Sequence, residues 1–168
     1  MKKYSIEIKW AIIFVVMSLL WMLGEKLTGL HSIYISKHAI FTNFIAIPAI
    51  LIYVLALLEK KKDYYNGHMT YGQGFITGLI ITIIVTVLSP LTQYISSTFI
   101  TPEYFPNVIQ YSVSSGKMTQ AAAEGFFNLK NYIIQGLIGA PVMGLVTTAI
   151  VALFTKSKAK QHNANGPL

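Results

Sequence analysis

The sequence predicts an all-α integral membrane fold with four spanning helices, and three observations carry that expectation. Hydrophobic residues make up 54% of the 168 positions and charged residues only 11%, against roughly 25% charged in soluble domains. Between Tyr64 and Pro102 there is no Asp, Glu, Lys or Arg. The thirteen basic residues, all lysine, flank the apolar runs rather than interrupt them, as charges do at the ends of membrane helices.

The composition also excludes. With no cysteine, disulfides, thiolate metal sites and cysteine nucleophiles are absent. The net charge of +7 comes without a single arginine for bidentate phosphate or base contacts, so topogenic lysine explains it better than nucleic-acid binding. The opening Lys2-Lys3 followed by apolar sequence has the form of a secretory signal, but no small-x-small site follows it. It is expected to remain as an uncleaved first span.

Span one is predicted over about 6–23, with Glu7 and Lys9 in its first turn, where both are expected to snorkel to headgroups, and with Trp10 and Trp21 near opposite ends. A connector carrying His31, Lys37 and His38 leads to span two at about 39–58. Pro48 predicts a kink there, since it leaves the carbonyl of Phe44 without a donor. The run Glu59-Lys60-Lys61-Lys62-Asp63 is expected to end the span, Asn66-Gly67 to make a tight turn, and Thr70-Tyr-Gly-Gln73 to form a capping box.

Span three, about 75–94, has 20 residues, which at about 1.5 Å each cover the roughly 30 Å hydrocarbon layer. Its small residues Gly74, Gly78, Thr82 and Thr86 recur every fourth position and leave one face nearly bare. Pro90 deprives the carbonyl of Thr86 of its usual donor. The stretch that follows is too polar to span and too apolar for a free loop. It is read as two short amphipathic helices, about 102–115 and 119–128, the first begun by Thr101-Pro102 and the second capped by Thr119.

Span four, about 132–154, carries a second small-residue line, Gly136, Ala140, Gly144, Thr148 and Ala152, with Pro141 predicting another kink. The two lines are expected to face each other or to pack on a second copy of the chain. Residues 1–156 thus form one transmembrane domain, and 157–168 a disordered polar tail. Nine lysines (2, 3, 9, 60, 61, 62, 156, 158, 160) lie on the side of the termini and four (26, 37, 117, 130) on the other. That imbalance predicts both termini in the cytoplasm.

The segments Met1-Lys-Lys-Tyr-x-x-Glu7-Ile-Lys-Trp10, Asn66-Gly67-His-Met-Thr70-Tyr-Gly-Gln73-Gly74-Phe75, Ser89-Pro90 and Tyr132-Ile-Ile-Gln135-Gly136 together resemble the four-span bacterial membrane family, of Bacteroidetes type, catalogued as domain of unknown function forty-one ninety-nine. The resemblance covers roughly 1–156 and implies an inner-membrane protein of that fold. It transfers no activity and no catalytic, cofactor or binding residue.

Three sets of residues remain as sources of chemistry. His31 and His38, seven apart, share a face if their connector is helical, with Glu25 nearby. Such a set can bind zinc or sense pH, though ordinary interfacial polarity is the commoner role, and no metal or cofactor is expected. Asn43, Gln93, Asn131 and Gln135 either line a small polar vestibule or pair across helices as packing glue. Catalysis is the weakest case, because no Asp, Glu or His falls in the middle of a span and Ser18, Ser89 and Ser96 lack a base at recognisable spacing. The expected role is therefore a non-enzymatic accessory or interaction subunit contacting lipid and a membrane partner or a second copy, with a small-solute transporter or channel subunit as the alternative.

Overall fold

The structure, a computed structural model, describes residues 4–157. Its helices are α1 (Ser5–Leu27), α2 (Ile35–Phe41), α3 (Ala46–Asp63), α4 (Tyr71–Ile95), α5 (Tyr104–Ser114), α6 (Gln120–Phe126) and α7 (Leu129–Thr155). Four stretches, Ser5–Leu27, Ile35–Asp63, Tyr71–Ile100 and Leu129–Thr155, are long and apolar enough to cross a membrane. The four expected spans are present, and α5 and α6 stand between the third and fourth.

Local chemistry explains most boundaries. Thr70 caps α4 by accepting from the Gln73 N–H while Gln73 reaches back to the Thr70 N–H, so the capping box is complete. Asn66 and Gly67 both take positive φ, 51° and 82°, the left-handed pair that a tight turn requires. Thr119 caps α6, accepting from the Ala122 N–H. At Pro90 the orphaned Thr86 carbonyl is met by the Ser89 hydroxyl at 2.9 Å, so α4 runs through its proline with the lost bond replaced.

Several ends differ from expectation. α1 continues one turn past Gly24 and stops at Thr28-Gly29, where Gly29 takes φ +79°. α3 runs on through the lysines to Asp63, because cations at a helix C-terminus complement its dipole. The break expected at Pro48 falls earlier, as a 3₁₀ turn at Thr42–Ile45. Pro48 itself is the third residue of α3, where the missing N–H costs nothing. α4 ends in a π turn, Ser96–Ile100, and the buried Thr101 donates to the Ser96 carbonyl instead of capping α5. Asn128 caps α7, so that helix begins three residues before the predicted span. Residues 158–168, most of the expected tail, lie outside the described residues. At its start Ser157 is tied to Met69 by hydrogen bonds in both directions.

The largest interhelical interface joins α4 to α7, and α1 and α3 pack against it. Gly74 faces Ala152, Gly78 faces Thr148 and Gly144 faces Thr82. An added Cβ on Gly78 would lie 2.5 Å from Thr148 Cγ2, so the helices approach as closely as the absent side chain permits. Gly136 lies across from Ser89 at the far end of the same seam. Tyr53 joins α3 to the seam through its hydroxyl, 2.8 Å from Thr82 Oγ1.

At the end holding the termini, Glu7 does not snorkel. It is buried and paired with buried Lys60 at 2.8 Å, while the neighbouring Lys9 pairs with Glu59, which also accepts from the Trp10 indole at 2.9 Å. Burying an ion pair between α1 and α3 is stable only when both partners stay. The opposite end is capped by α2, α5 and α6.

Candidate functional site

At the cap end Glu25, His31 and His38 come together. Glu25 stands in the last turn of α1, one turn after Trp21, whose indole donates to Glu25 Oε1 at 2.7 Å. The chain then reverses at Gly29, where a side chain would meet Ile33 Cγ1 at 2.8 Å. Bonds from the Leu30 N–H to the Glu25 carbonyl and from the Tyr34 N–H to the Gly29 carbonyl hold the reversal. This folds His31 back beneath α1 and starts α2 at Ile35, bringing His38 round to the same side.

Both imidazoles converge on one carboxylate oxygen. His31 Nε2 is 3.0 Å and His38 Nε2 3.3 Å from Glu25 Oε2. Glu25 and His31 are 3% and 4% exposed, a depth at which a carboxylate persists only with partners. Tyr104, the first residue of α5, closes the group from above, its ring 4.9 Å from that of His31 and 5.1 Å from that of His38. Its hydroxyl lies 3.1 Å from the Tyr132 hydroxyl of α7 and 3.5 Å from His38 Nδ1. Burial, with the neighbouring Tyr132 behind it, raises the Tyr104 phenol well above the ordinary tyrosine range, so it stays protonated and able to donate. Asn107 of α5 donates to the His31 carbonyl at 2.9 Å.

One ligating atom from each of Glu25, His31 and His38 lies within 4.8 Å of the others. Among the described residues His31 Nδ1 is buried without a hydrogen-bond partner. A cavity of about 300 Å³ bordered by Lys26, His31, Thr101, Glu103, Tyr104 and Asn107 adjoins the cluster. An apolar groove of about 500 Å³ between α1 and the α2–α3 segment reaches Glu25 from the other side, past Met17, Trp21, Phe44 and Pro48. The arrangement can hold a cation or bind a small polar group; no nucleophile stands among the three.

The sequence singles out Glu25, His31 and His38, and the structure brings them together through a turn rather than a helix. Trp21, Tyr104, Asn107 and Tyr132 were missed. Only the i, i+4 spacing of Trp21 and Glu25 announces a contact; Tyr104 and Tyr132 are 28 residues apart. Neither the expected polar vestibule nor its alternative, pairing across helices, appears in the hydrogen bonds of Asn43, Gln93 and Asn131. Asn43 is exposed and donates to the Ala39 carbonyl, Gln93 donates to Ser97, Asn131 pairs with the Gly125 carbonyl, and Gln135 is exposed. Each of the three bonds stays within one stretch of chain, where it shields a local backbone or hydroxyl group.

In comparisons with known proteins, residues 9–157 match a family described as Protein of unknown function (DUF4199). No curated protein and no solved structure matches the chain.

Proposed function

Starting from a chain that belongs to the DUF4199 family, whose description names no activity, we propose an accessory membrane protein that conducts no solute and presents its cap helices to a partner in the same membrane. The closed α4–α7 seam carries this reading. Gly78 and Gly144 leave no room beside Thr148 and Thr82, and Ala11, Ala56, Leu57, Ile81 and Ala152 fill the surrounding bundle with no exposed surface. The dispersal of Asn43, Gln93, Asn131 and Gln135 counts against a transporter or channel subunit.

The lysine distribution, nine against four, supports both termini in the cytoplasm, and residence in a bacterial inner membrane is what the family resemblance implies. In that orientation the cap faces outward. There α5 and α6 border a groove of about 510 Å³ lined by Pro106, Ile109, Gln110, Val113, Gln120 and Glu124, mixed in polarity as a partner-binding surface is. The role is binding rather than catalysis: Glu25 is already engaged by the Trp21 indole and by both imidazoles of the chain itself.

A photo-crosslinking side chain in place of Gln110 tests the reading in native membranes. A defined protein adduct that disappears on Glu124→Lys, together with solute-tight vesicles of the reconstituted protein, is the expected result. Solute flux through such vesicles that falls when Asn43 or Gln135 is replaced would refute it.

A further inference from the structure

We propose that Glu25, His31 and His38 form a binding site for one zinc ion, which clamps the cap onto α1. Two imidazoles and a carboxylate are ligands that a borderline divalent ion favours, and the chain has no thiolate to draw softer metals. Tetrahedral zinc with bonds of about 2.0–2.1 Å sets neighbouring ligand atoms roughly 3.3–3.4 Å apart. The two edges to Glu25 Oε2 already measure 3.0 and 3.3 Å. The edge between the histidine nitrogens lies within 4.8 Å and must shorten when the ion binds, at the partly buried His38.

The groups behind the ligands are those a metal site uses. Trp21 fixes the second oxygen of Glu25, the Tyr104 hydroxyl stands at His38 Nδ1, and Asn107 anchors the backbone of His31. Partners of this kind set ring orientation and ligand basicity. With Nε2 turned to the ion, the proton of His31 sits on Nδ1, which is buried without a hydrogen-bond partner among the described residues. The adjoining cavity is bordered by His31 and Tyr104 but not by Glu25 or His38, so it offers room for the ion's fourth ligand, a water, rather than for the ion itself. A hydrogen-bonded triad without metal is the competing arrangement, and it predicts no zinc affinity.

The ion would join the end of α1, the turn after it and α2, with α5 held through Tyr104. Cap order is then linked to metal, because an ion that binds only the folded cluster stabilises it by mass action.

The full chain, purified in mild detergent and stripped with a chelator, is equilibrated with zinc and its metal content measured; cobalt(II) in zinc's place reports tetrahedral coordination through its visible absorption. The expected result is one zinc per chain, with affinity reduced about tenfold or more in Glu25→Gln and His38→Gln, reduced in Tyr104→Phe, and unchanged in His68→Gln, which lies near the opposite end of the bundle. Wild-type protein that is helical by circular dichroism yet retains no zinc would overturn the proposal. So would binding by Glu25→Gln and His38→Gln equal to wild type, which would locate the ion elsewhere.

Discussion

Replacing single glycines along the α4–α7 seam separates close packing from helix propensity. In Gly78→Ala the new methyl meets Thr148 Cγ2 and Oγ1 at 2.5 and 2.6 Å, and relieving such an overlap in a filled interface costs about 1–3 kcal/mol. In Gly136→Ala the nearest atom is Ser89 Oγ at 3.6 Å, an ordinary contact with no steric cost. Both changes gain the same intrinsic helix preference of Ala over Gly, so it cancels between them. Gly78→Ala should therefore be less stable than Gly136→Ala by about 1–3 kcal/mol. Reversible unfolding in mixed detergent and SDS micelles, followed by circular dichroism, measures the difference. Thr148→Ala supplies a second arm. The Thr148 hydroxyl has no partner among the described residues, so its loss sacrifices no hydrogen bond, and the double variant Gly78→Ala/Thr148→Ala should recover part of the deficit, the 3.0 Å approach of the two Cβ atoms remaining. Equal stability of the two single variants would refute the register of the seam.

The remaining expectations follow from named contacts. Lys60→Met strands the buried Glu7 carboxylate and should cost about 3–5 kcal/mol, most of it restored by adding Glu7→Gln; the same micelle titration reads both. Thr70→Ala removes the α4 capping box and should destabilise by roughly 1 kcal/mol. Tyr53→Phe deletes one interhelical hydrogen bond, and a loss near 0.6 kcal/mol in that titration is the average expectation for such bonds. In intact cells a membrane-impermeant thiol reagent should label Ser115→Cys and leave Lys61→Cys unlabelled until the cells are opened; the reverse pattern would invert the topology.

The spans were legible because hydrocarbon length and lysine flanks are one-dimensional signals, and so were the facing small-residue lines, since a four-residue period survives into the helix surface. The capping box at Thr70 and the cap at Thr119 were legible for the same local reason. Glu7 misled: a charge in the first turn of a span normally reaches for headgroups, and nothing near it in sequence announces Lys60, which arrives from α3. The cap cluster was half visible. His31, His38 and Glu25 are close in the chain, but the reversal at Gly29 that assembles them and the arrival of Tyr104 and Tyr132 are tertiary events. Asn43 and Asn131 join neither a vestibule nor a pair across helices because each finds a carbonyl within a few residues, a local bond that competes with any partner across the bundle.

A pair of introduced thiols tests most directly whether the bare stripes close on each other inside one chain. An added Cβ on Gly136 lies 3.8 Å from Ser89 Cβ, the separation a disulfide favours, and the chain has no cysteine of its own to compete. Mild oxidation of Ser89→Cys/Gly136→Cys in native membranes should give a cross-link within the monomer, whereas Ser89→Cys/Val142→Cys, with Val142 on the exposed face of α7, should give none. Cross-linked dimers in place of the internal bridge, or no bridge from the first pair, would contradict a bundle sealed within a single chain.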